Sequence, residues 1–130
     1  MVNGGDVIMK ENVTKNKSFN FAVRVVKLYK YLCHNKKEFV MYKQLLRSGT
    51  SVGAMVREAE HAESKSDFKH KMAIAQKEIN ESIYWLELLK ETEYLNQDEF
   101  DSLNSDAVEI IKLVTSIIKT TQSKLIVNGK

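Results

Sequence analysis

The chain has 130 residues, a length that suits one domain with a core of its own, and its 43% hydrophobic and 28% charged content is that of an ordinary soluble globular protein. A single cysteine, Cys33, excludes an internal disulfide and provides no zinc signature. The start MVNGGDVIMKEN lacks an apolar core of signal-peptide length, and no apolar run reaches a membrane span, so a cytoplasmic protein without membrane contact is expected.

Proline is absent, which favours long helices. Residues 1–17 lack periodicity and are expected to form a flexible tail. Helix 1 is predicted over about 18–34, with Ser18 as its N-cap. Phe21, Val25, Leu28 and Leu32 share one face of it. Ala22, Val26, Tyr29 and Cys33 form a second row about 100° round the same helix. Two rows fit either a wide core face or a subunit contact.

Asn35-Lys36-Lys37-Glu38 connects to helix 2, predicted over about 40–63. Its face reads Leu45, Gly49, Val52, Val56 and Ala59. Each mid-helix glycine costs roughly 1 kcal/mol against alanine. Gly49 and Gly53 therefore mark either close backbone packing, which we favour, or a break. Helix 3 is predicted over about 66–92, with Ser64 and Asp67 as a capping pair and Phe68, Met72, Ala75, Ile79, Ser82, Leu86 and Leu89 on one face.

Asn96 and Glu99 form a capping box for helix 4, predicted over about 96–122. Its seam runs Phe100, Leu103, Ala107, Ile110, Val114, Ile117 and Thr121. Val108, Ile111, Thr115 and Ile118 lie beside that seam, and residues 123–130 read as a second tail. Four amphipathic helices with short connections, and no competing strand pattern, predict an all-α, up-down four-helix bundle over 18–122. Outer rows on two helices predict a homo-oligomer that buries Ala22, Val26, Tyr29, Cys33, Val108, Ile111 and Ile118 between subunits. Scattered surface apolars are the plainer reading of the same rows.

Catalytic motifs are weak. Glu58-x-x-His61 is half of a di-iron carboxylate pattern, but helices 3 and 4 supply no matching half, so a solvated or ion-paired Glu and His is the better reading. Ser48 and Ser51 have no histidine at helical reach, and adjacent Cys33 and His34 point apart. Trp85 beside Tyr84 fits a core or interface position better than a base-stacking platform. No cofactor, metal site or enzymatic activity is expected.

Charge is the remaining signal. Residues 1–57 hold 11 Lys and Arg against 3 Asp and Glu, or +8, while residues 58–130 hold 9 against 14, or −5. Such a split marks either a basic face for an acidic partner or two halves that pair with each other. Arg24, Lys27, Lys30, Lys43 and Arg47 are the candidate nucleic-acid contacts.

Several strings carry a family resemblance: Gln44-Leu45-Leu46-Arg47-Ser48, Ser51-Val52-Gly53-Ala54 with Glu58, Ser66-x-Phe68, Ile74-Ala75, and Lys77-Glu78-x-x-Glu81-x-x-Tyr84-Trp85-Leu86-x-Leu88-Leu89. Over roughly residues 19–121 the chain resembles the four-helix-bundle proteins encoded in intervening sequences of bacterial 23S ribosomal RNA genes. Many members read Asn-Ile-x-Glu-Gly where this chain has Met55-Val56-Arg57-Glu58-Ala59. The resemblance implies a homo-pentameric barrel. It extends to the accessory variability determinant of diversity-generating retroelements, a basic pentamer that binds nucleic acid and a reverse transcriptase. The expected function is that of a non-enzymatic oligomer binding RNA or a nucleic-acid-handling protein; the alternative is a protein–protein adaptor or structural oligomer with no nucleic-acid role.

Overall fold

The computed structural model describes residues 4–37 and 39–127. All regular structure among them is helical: α1 (Gly4–Asn35), α2 (Val40–Glu60), α3 (Lys65–Glu91) and α4 (Gln97–Val127). Each helix packs on the next, and α4 closes back on α1, while the backbones of diagonal pairs stay apart among the described residues. Short connections make successive helices antiparallel, so the four form an up-down bundle.

The predicted seams meet in its centre. Phe21, Val25 and Leu32 of α1 face Leu45, Val52 and Val56 of α2, Met72, Ile79 and Leu86 of α3, and Leu103, Ile110 and Val114 of α4, all buried. Leu28 and Phe68 reach only the edge of this core. Ser48 and Ser82 put hydroxyls inside it and satisfy each other at 2.8 Å. Helix α2 is unbroken. A Cβ on Gly49 would sit 2.9 Å from a Val25 methyl, and one on Gly53 would sit 3.4 Å from the Ser18 carbonyl oxygen. The glycines thus serve close packing of α2 on α1.

Both loop caps form as the spacing predicts. Ser64 Oγ accepts the Asp67 amide at 3.0 Å, and Asp67 Oδ2 accepts the Glu63 amide at 3.2 Å. Asn96 Oδ1 accepts the Glu99 amide at 2.8 Å, and Glu99 Oε1 accepts the Asn96 amide at 2.9 Å. Lys37 and Glu93 follow their helices in the left-handed region, at φ 57° and 70°. There a residue turns the chain back while late helical carbonyls stay bonded.

Three boundaries differ from the expectation. Helix α1 begins at Gly4 and not at Ser18. Thr14 and Ser18 continue the Phe21–Val25 seam and are fully buried. Their hydroxyls donate to the Lys10 and Lys15 carbonyls of the same helix, so they enter the core without an unmet polar group. Ser18 is an interior residue, not a cap. Helix α4 runs on to Val127 because Leu125 adds one more buried position to its seam. Helix α2 stops at Glu60, since Ser64 caps α3 and the turn needs the residues between. The outer parts of the two expected tails, residues 1–3 and 128–130, and Glu38 of the first connection lie outside the described residues.

Candidate nucleic-acid interface and subunit faces

The bundle does not bring the five predicted cations into one patch. Arg24 reaches across to α4, where it pairs with Asp106 and donates to the Ser102 hydroxyl at 2.7 Å. Arg47 reaches across to α3 and forks between Glu78, at 2.9 Å, and Glu81. The Glu81 hydrogen bond holds the Arg47 guanidinium more firmly protonated than usual. Two neighbours behave alike. Lys15 meets Glu60 at 3.1 Å, and Lys17 meets Glu109 at 2.7 Å. The Glu109 hydrogen bond raises the Lys17 pKa. Part of the +8/−5 split is therefore spent inside the molecule.

Lys27, Lys30 and Lys43 are exposed and have no ion pair among the described residues. The register fixed by Gly49 on Val25 and Gly53 on Ser18 puts Lys30 and Lys43 at matching levels of α1 and α2. Lys27 lines a shallow groove of about 360 Å³ with Arg24, Leu28, Tyr31, Glu99 and Leu103. Tyr31 is half exposed there. The sequence reading missed Tyr31; its place one helical turn after Lys27 was the available signal.

The outer rows occupy opposite sides of the bundle. All seven predicted interface residues are half-buried. On α1 the row that includes Ala22 and Val26 runs on the α2 side, where Arg57 lies over the Phe19 ring at 5.0 Å. Tyr29 and Cys33 are hydrogen-bonded to each other, which raises the Tyr29 pKa. On α4 the row runs on the α3 side, where Gln76 Nε2 donates to Thr115 Oγ1 at 2.8 Å. With helices ordered α1–α2–α3–α4 round the bundle, these are opposite faces.

Other sequence candidates are engaged structurally. Glu58 pairs with Lys71 at 3.4 Å. No group of three His, Cys, Asp or Glu converges to hold a metal among the described residues. Ser51 donates to the Arg47 carbonyl at 2.6 Å. Trp85 is half-buried, its Nε1 donating to Glu81 at 3.1 Å, with Tyr84 edge-on and exposed. No described helix is long and apolar enough to cross a membrane.

Fold and surface together define an antiparallel four-helix-bundle protein whose conspicuous features are charge and half-buried apolar rows. It belongs to the 23S rRNA-intervening sequence protein family, whose model matches residues 10–116. A crystal structure of an S23 ribosomal protein family member of unknown function from Bacteroides thetaiotaomicron VPI-5482 is similar at 59% identity and a TM-score of 0.84. That match covers 85% of this chain and 98% of the other. Among curated proteins no sequence matches.

Proposed function

We propose that this chain is a non-enzymatic, cytoplasmic ring-forming protein that binds RNA, alone or in a nucleoprotein, through a repeated basic surface. The observation that carries the assembly is the pair of half-buried apolar rows on opposite faces. A two-fold dimer buries one such face and leaves the other open. Docking the α1–α2 face of one copy on the α3–α4 face of the next uses both, and such head-to-tail contacts close into a ring when each copy is rotated on the last by a constant fraction of a turn, running on as a filament otherwise. The +8 first half and −5 second half favour that pairing. Five subunits is the number the family resemblance implies, and the resemblance to the retroelement accessory protein supports the same arrangement.

Ring symmetry repeats Lys27, Lys30 and Lys43 once per copy, which supplies the clustering that one chain lacks. The groove that Lys27 lines adds the half-exposed Tyr31 ring beside a cation unpaired among the described residues, a combination suited to single-stranded RNA. Native mass spectrometry at low salt tests assembly and retained nucleic acid together. A pentamer carrying RNA is the expected result, and a monomer overturns the ring. In fluorescence polarisation with a labelled single-stranded RNA, affinity falls steeply between about 50 and 200 mM salt. Lys27→Glu with Lys30→Glu abolishes that binding. A salt-independent affinity, or one the double variant leaves unchanged, rejects the RNA reading. The adaptor reading is favoured by one observation, the neutralisation of Arg24 and Arg47 by the chain's own carboxylates. A clean pentamer that binds no RNA would select it.

A further inference from the structure

One end of the bundle is open. Where α1 begins, α2 ends, α3 begins and α4 ends, the four helices border a half-open cavity of about 510 Å³. Its apolar wall is Val56, Ala59, Phe68 and Met72. Val56, Ala59 and Met72 are core residues whose outer edges floor the cavity, and Phe68 is half-buried at its side. Its rim carries Lys15, Lys65 and Lys124 against Glu11 and Glu60, three positive groups to two negative. Lys15 is matched to Glu60 at 3.1 Å. Lys65 and Lys124 are exposed and have no ion pair within 4.0 Å among the described residues.

We propose that this cavity binds a small amphipathic monoanion, a carboxylate on an apolar body of roughly a dozen non-hydrogen atoms at about 30 Å³ each. The apolar body lies on Val56, Ala59, Phe68 and Met72, and the carboxylate meets Lys65 and Lys124 at the mouth. The size falls in the range of small-molecule pockets, about 300–1,000 Å³. Sign follows from the rim's surplus of one positive charge. A cationic head would find only Glu11 and Glu60, and Glu60 is already bonded to Lys15. Burial raises the Glu11 pKa, and the Lys124 charge draws it partly back. Two of the wall hydroxyls are already committed as donors. Thr120 donates to the Ser116 carbonyl at 3.1 Å and Thr121 to the Ile117 carbonyl at 2.9 Å. This site lies at the end of the bundle and goes beyond the RNA and assembly reading.

The test uses two probes with one body and opposite heads, decanoate and decylammonium, titrated calorimetrically into the full chain. Decanoate is expected to saturate at one molecule per chain, and decylammonium to bind about tenfold more weakly. Lys65→Glu with Lys124→Glu is expected to reverse that preference. Both lysines are exposed, and helical circular dichroism of the unliganded double variant checks that it still folds. Ala62→Trp, at the half-buried turn on the cavity wall, fills the space and removes binding of both probes. Equal affinity for the two heads, decanoate binding unaltered by the lysine changes or by Ala62→Trp, or no saturable binding at all would each overturn the proposal.

Discussion

At the scale of the residue, the two interior glycines of α2 look alike in sequence and differ in surroundings. Gly49 faces the branched methyls of Val25, a side chain that is fully buried and stiff about χ1. Gly53 faces the Ser18 carbonyl at a distance a methyl group tolerates. Alanine in a helix interior is worth about 1 kcal/mol over glycine. Gly53→Ala is therefore expected to raise stability by up to about 1 kcal/mol. Gly49→Ala is expected to lower it by about 1–3 kcal/mol, as overpacking outweighs propensity. Urea unfolding of the two variants checks both signs. The sequence favoured close packing over a break at these glycines and did not name α1 as the partner. Which of them tolerates a methyl was not, because that depends on what stands opposite.

At the scale of the element, the caps that open α3 and α4 were the most readable feature. Asn96 and Glu99 exchange hydrogen bonds as their three-residue spacing requires. Asn96→Ala is expected to cost about 1 kcal/mol in thermal or urea unfolding, the ordinary worth of an N-cap. The start of α1 was the least readable. Thr14 and Ser18 look like tail residues or a cap by composition alone, yet both are buried with hydroxyls turned onto their own helix. Extending the Phe21–Val25 spacing backward by a step of three and a step of four finds them. Their polarity hid the pattern, since a hydroxyl satisfied within its own helix behaves in packing like a small apolar group.

At the scale of the molecule, the two outer rows make a complementary pair only if copies dock head to tail. Val26 and Ile111 are half-buried in the single chain, so a charge at either leaves the bundle folded. Val26→Glu and Ile111→Glu are each expected to convert the proposed ring to monomers in sedimentation velocity. Mixing the two variants is expected to give heterodimers through their remaining intact faces, and no larger ring. The candidate RNA contacts changed most between sequence and structure. The sequence grouped Arg24, Lys27, Lys30, Lys43 and Arg47 by sign, whereas the fold gave Arg24 and Arg47 to carboxylates on other helices and left the three lysines outward.

The sequence by itself determined the four helices, their core seams, their order and two of their caps. These depend on spacings of three and four residues, which local geometry turns directly into faces. Only the tertiary structure decided which charges cancel, which faces oppose each other and where the end cavity opens. Those follow from residues far apart in the chain, Arg24 paired with Asp106 or Glu11, Lys65 and Lys124 round one cavity, whose placement depends on the register of helices against one another. Helical periodicity fixes direction within a helix and carries no information about that register.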